Sequence, residues 1–120
     1  IGDNTNIQDG AIIHCTYQRA ATTIGKNVSI AHNAIVHGCT VEDNVLIGMG
    51  AIIMDDAVIK SNTVIAAGAV VLAGTVVEEG SIYAGMPAKK VKDIGDNMRE
   101  VIARTAQNYP MYANWFKEEN

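Results

Sequence analysis

The chain of 120 residues is long enough for one core and too short for two, and its net charge of −4 offers no basic stripe for nucleic acid. Apolar residues make up 48% of it and aromatic residues only 5%, so a core must be assembled from small aliphatic side chains. No apolar run approaches the ~18 residues of a membrane span, and two cysteines, Cys15 and Cys39, are too few for a disulfide framework, so a reduced, cytoplasmic protein is expected.

In chain order, aliphatic residues return every sixth position: Ile1, Ile7 and Ile13, then Ile24, Ile30 and Val36, then Val41, Ile47, Ile53, Ile59, Ile65, Val71 and Val77, with Tyr83 on the last beat. Neither a helical period of 3.6 nor a strand period of 2 produces that beat. Three residues after it stand Asn4, Gly10, Asn27, Asn33, Asn44, Gly50, Asp56, Asn62, Gly68, Gly74 and Gly80, residue types that accept a left-handed backbone cheaply and so mark corners. Small or β-branched residues such as Ala34, Ala51, Ala57, Thr63 and Ala69 follow one position later. Short strand, corner, short strand, with three such units per coil, describes a triangular prism of stacked parallel strands. The pattern resembles the hexapeptide-repeat proteins, and the resemblance implies an all-β, left-handed parallel β-helix.

The rhythm breaks twice. Between Ile13 and Ile24 there is an insertion, expected to bulge from a corner, and between Val36 and Val41 one residue is missing. Both breaks lie beside histidines, and irregularities in repeat proteins tend to collect on a functional face. The first beat falls on residue 1 without an initiator methionine, so further coils are expected before Ile1. The β-helix is assigned to residues 1–88 and a helical segment to 89–120, where Ile94, Met98, Val101, Ile102 and Thr105 have helical spacing, with Asp96 as N-cap. Pro110 should end that helix, leaving Tyr112, Trp115 and Phe116 as anchors of a second short turn. The first helix is expected to lie along a prism face or against a neighbouring subunit.

All three histidines fall near the two breaks. His14 and His37 each follow the third beat of successive coils, Ile13 and Val36, so they share one rung position on strands stacked ~4.8 Å apart, within reach of one ion. His32 follows Ile30 by two and belongs to another corner, so it cannot easily join the pair within one chain. A three-fold homotrimer resolves this by bringing His32 of one subunit against His14 and His37 of the next. Three neutral imidazoles with an open position are the ligand set of catalytic zinc; cobalt and iron also accept it.

The residues Asn6-Ile7-Gln8-Asp9, His14, Ile30-Ala31-His32-Asn33 and Val36-His37-Gly38, with Tyr83-Ala84-Gly85-Met86-Pro87-Ala88 at the end of the repeat, resemble the γ-class carbonic anhydrase family. That resemblance implies reversible hydration of CO2 to bicarbonate, with His14, His32 and His37 as metal ligands and Gln8 bonded to the reacting oxygen. It also implies that Asn6 and Asp9 support Gln8, and that Tyr109, in Gln107-Asn108-Tyr109, returns toward the metal. One departure stands out: the family places an acidic proton shuttle in the loop after the first ligand, and Cys15-Thr16-Tyr17-Gln18-Arg19 holds no carboxylate, which predicts slow turnover. Cys15 and Cys39 are expected to be packed thiols rather than ligands. Two other functions use the same prism: a hexapeptide-repeat acyltransferase or acyl-CoA thioesterase with a single histidine base, and a metal-binding trimer without significant turnover.

Overall fold

The computed structural model describes residues 1–14 and 21–102. Within them the strands, numbered β1 to β14 in chain order, form three sheets. The first sheet stacks β1 (Asn6–Ile7), β4 (Ser29–Ile30), β7 (Val45–Ile47), β10 (Thr63–Ile65) and β13 (Ser81–Ala84) in parallel. The second holds β2 (Ile12–His14), β5 (Ile35–His37), β8 (Ile52–Ile53) and β11 (Val70–Val71). The third holds β3 (Thr23–Ile24), β6 (Thr40–Val41), β9 (Val58–Ile59) and β12 (Val76–Val77). Each coil visits the three sheets in turn, giving the parallel β-helix expected from the repeat.

The six-residue beat is the inward column. Ile30, Ile47, Ile53, Ile59, Ile65, Val36, Val71 and Val77 are all fully buried, each stacked on its equivalent in a neighbouring coil. Ala34, Ala51, Ala57 and Thr63 fill the space beside them, also fully buried. The corners obey the backbone rule: all eleven residues of the corner column have positive φ, from 55° at Asn27 to 75° at Gly10 and Gly74. In the shortened unit the corner falls on Gly38 (φ 54°), directly after His37. Ile1 and Ile7, on the first coil, are 77% and 39% exposed, whereas Tyr83, which replaces an aliphatic in the last coil, is buried.

The carboxy-terminal segment differs from expectation at its start. Instead of leading straight into a helix, residues Lys89–Asp93 form β14, antiparallel to β13, with Lys90 paired to Glu78 and Asp93 at 3.0 and 2.8 Å. The helix α1 occupies residues 96–102. Its first turn is capped by Gly95, whose carbonyl accepts from the amides of Met98 and Arg99 at 3.1 Å, so Asp96 is the first helical residue rather than the N-cap. Ile94 and Ile102 bury against Val64, with Met98, Leu46 and Ile82 around them, so α1 covers the outside of the first sheet of its own chain. Among the described residues no helix is long and apolar enough to cross a membrane. Cys15, Tyr109, Pro110, Tyr112, Trp115 and Phe116 lie outside the described residues.

Candidate metal centre

The parallel pairing of β2 with β5 sets Ile12 on Ile35, Ile13 on Val36 and His14 on His37. Ile13 and Val36 point inward, so the alternation of a strand turns both histidines outward at the edge of the second sheet. The two rings stack with centroids 4.7 Å apart and planes 19° from parallel, and His14 Nδ1 lies 2.8 Å from His37 Nε2. The histidines are 23 residues apart in the chain, and the insertion between them leaves their register intact.

Thr22 links the two rungs. Its hydroxyl donates to the carbonyl of His14 and accepts the amide of Gly38, the latter at 2.9 Å, so the backbone at both histidines is held by one side chain. The other ring nitrogen of His37, Nδ1, bonds the Asp55 carboxylate from the next coil. Neither Thr22 nor Asp55 is singled out by the repeat. Asp55 was detectable only by stacking coils with the missing residue taken into account, because the early corner at Gly38 brings His37 under Asp55.

His32 sits in the turn between β4 and β5, on the corner joining the first and second sheets. Its Nδ1 is buried without a hydrogen-bond partner among the described residues. No three His, Cys, Asp or Glu side chains within one chain are grouped to hold a metal among those residues, so His32 does not complete a site with the pair.

Gln8 and Asp9 lie on the same corner as His32, one coil earlier: Gln8 N donates to Ile30 O at 2.9 Å and Asn33 N to Asp9 O at 3.1 Å. Gln8 Nε2 donates to Asn6 Oδ1 (3.2 Å), and Asn6 Nδ2 donates to Ser29 Oγ (2.9 Å), with Asn6 and Ser29 both buried. Asn6 therefore supports Gln8 directly. Asp9 contributes a backbone carbonyl and has an exposed side chain. Cys39 is a buried free thiol, and burial pushes it up from 9.0 to about 12, so it stays protonated and is a poor ligand at neutral pH.

Outside the core, the second sheet carries an aliphatic ladder beside the paired histidines. Ile12, Ile35, Ile52 and Val70 stack in register on its outer face. Ile12 is 52% exposed and the other three are half-buried.

The family model for bacterial transferase hexapeptide (six repeats) matches residues 21–55 and 38–73. The mitochondrial gamma carbonic anhydrase 2 of Arabidopsis thaliana is 36% identical over 125 residues, a match covering all of this chain and 45% of that protein. A probable carbonic anhydrase of Methanocaldococcus jannaschii is 49% identical over 109 residues, covering 91% of this chain and 68% of that protein. The chain belongs to the γ-class carbonic anhydrase family. It spans about half the length of the plant γ-class relatives it matches. The crystal structure of a hexapeptide transferase family protein from Anaplasma phagocytophilum superposes with a TM-score of 0.89 at 35% identity, over 97% of this chain and 68% of that one. The γ-class scaffold and a transferase-family scaffold are thus the same prism, and the side chains on its corners must decide between chemistries.

Proposed function

We propose that this protein is a zinc-dependent carbonic anhydrase that interconverts CO2 and bicarbonate at three-histidine sites between the subunits of a homotrimer. The observation that carries the reading is the pairing of His14 with His37, two imidazoles whose nitrogens converge to 2.8 Å on the outer edge of one sheet. Two features support a third ligand from another copy. His32 has a buried ring nitrogen with no partner among the described residues, which costs roughly 1–3 kcal/mol unless a contact offsets it. The aliphatic ladder next to the pair is only partly covered within one chain, with Ile12 52% exposed, and suits burial against a second copy. The names of the plant and archaeal relatives point to the same chemistry.

The donor set fits zinc: three neutral imidazoles leave one position open. Zinc, when bound, supplies the water pKa lowered to about 7 that CO2 hydration at neutral pH requires. The chain's own residues then bind and orient. Gln8 Nε2 is engaged with Asn6, which leaves Oε1 to accept a hydrogen bond from the reacting water and fix its direction without adding charge. Because Gln8 and His32 share a corner, the copy that delivers His32 also delivers Gln8.

The test is stopped-flow CO2 hydration by protein stripped with a chelator and then reloaded with zinc. Zinc-dependent hydration is expected, slow relative to an enzyme with a carboxylate shuttle. Stoichiometric zinc with no hydration would leave the non-catalytic metal-binding trimer. The transferase resemblance favours acyl transfer as a second reading, but one histidine base suffices for it and the paired rings would have no task; turnover of acetyl-CoA without zinc would favour that reading.

A further inference from the structure

Asp55 is a carboxylate that the three-histidine reading leaves unused. Its position is fixed by the coils on both sides: the amide of Asp56 donates to Gly38 O at 2.9 Å, and the amide of Gly74 donates to Asp55 O at 3.0 Å. The side chain is 23% exposed and meets Nδ1 of His37, which is 35% exposed. An ionised carboxylate can only accept a hydrogen bond, and a neutral imidazole has a single N–H. The contact therefore requires the proton of His37 to sit on Nδ1. Nε2 is left with its lone pair, on the side that faces His14 Nδ1.

Resting on the three-histidine reading, the geometry points to Asp55 as a positioning residue of the metal site, which fixes His37 as the Nδ1–H tautomer so that Nε2 is the coordinating atom. Carboxylates placed behind ligand histidines orient the ring and raise its basicity, and their loss weakens metal binding 10–100-fold. Without Asp55, nothing described here keeps the proton off Nε2, and each binding event must first move it.

The experiment uses the intact trimer with imidazole-¹⁵N histidine, wild type and Asp55→Ala, with matching melting temperature and native mass as the check on folding. Long-range ¹H–¹⁵N correlation on the metal-free protein at pH 8 reads the tautomer of His37, and competition with a chromophoric chelator reads zinc affinity. Expected are Nδ1–H in the wild type, loss of that preference in Asp55→Ala, and a 10–100-fold weaker zinc affinity. Asp55→Glu, which keeps the acceptor, should recover part of both. A wild-type ring protonated on Nε2, or an Asp55→Ala variant with unchanged tautomer and unchanged zinc affinity, would overturn the assignment. If wild-type protein binds no zinc, the three-histidine reading fails, and the tautomer measurement alone still decides what Asp55 does to His37.

Discussion

Ile52 and Ile53 are adjacent on β8 and point to opposite sides of the second sheet, so truncating each should have a different consequence. Ile53 is fully buried between Val36 and Val71. Ile53→Ala removes three carbons, about 2.4 kcal/mol at ~0.8 kcal/mol per buried CH2. The prism walls on either side cannot collapse into the space, so a cavity term raises the cost to about 3–4 kcal/mol per chain. Ile52 faces outward on the aliphatic ladder and is half-buried within one chain. Its loss should cost the isolated coil about 1 kcal/mol or less, and its main effect should fall on the proposed contact between copies. Urea unfolding followed by circular dichroism over a hundred-fold range of protein concentration separates the two. Ile53→Ala should lower the midpoint at every concentration, whereas Ile52→Ala should be most damaging at low concentration, where assembly is weakest. An Ile53→Ala cost below about 1 kcal/mol, or an Ile52→Ala effect independent of concentration, would refute the assigned faces.

On the proposed shared-ligand scheme, His37→Ala should abolish zinc binding at every site of the proposed trimer, as read by metal analysis; stoichiometric zinc in that variant would end the scheme. Gly48→Ala should destabilise the coil although Gly48 is only one methyl smaller, because its Cβ would stand 2.5 Å from the Ala67 amide nitrogen and 2.9 Å from the Ala66 carbonyl carbon, backbone that cannot step aside. Overpacking of this kind costs about 1–3 kcal/mol, measurable by thermal melting. Cys39 gives a signed pH dependence. The unfolded thiol ionises near 9.0 and the folded one near 12, so rising pH withdraws the proton from the unfolded chain first. Stability should therefore fall between pH 9 and about 12, and the slope should be absent in Cys39→Ala; equal slopes would place the cause elsewhere.

The parts of this fold that were legible are those that repeat. A buried column needs an aliphatic residue at every turn, so Ile30, Ile47 and Ile65 declare one sheet and Val36, Ile53 and Val71 another. A corner needs positive φ, so Asn27, Asn33, Asn44 and Asn62 declare where the chain turns. The stacking of His14 on His37 follows from the same counting. What could not be read is non-repetitive. Lys89–Asp93 falls in the segment assigned as helical, and only the free edge of β13 makes it a strand. Helical spacing marked α1 but not the surface it covers, since the outward row Leu46, Val64 and Ile82 is apolar without being part of the beat. Asp55 escaped because its contact depends on a one-residue shift between coils.

Native mass spectrometry of the zinc-loaded protein, with the metal counted in the same spectrum, tests the central claim most directly. A trimer carrying three zinc ions, which loses all of them in His32→Ala as well as in His37→Ala, is the predicted result. A monomer, or a trimer that keeps its zinc without His32, would contradict a site completed by a neighbouring copy.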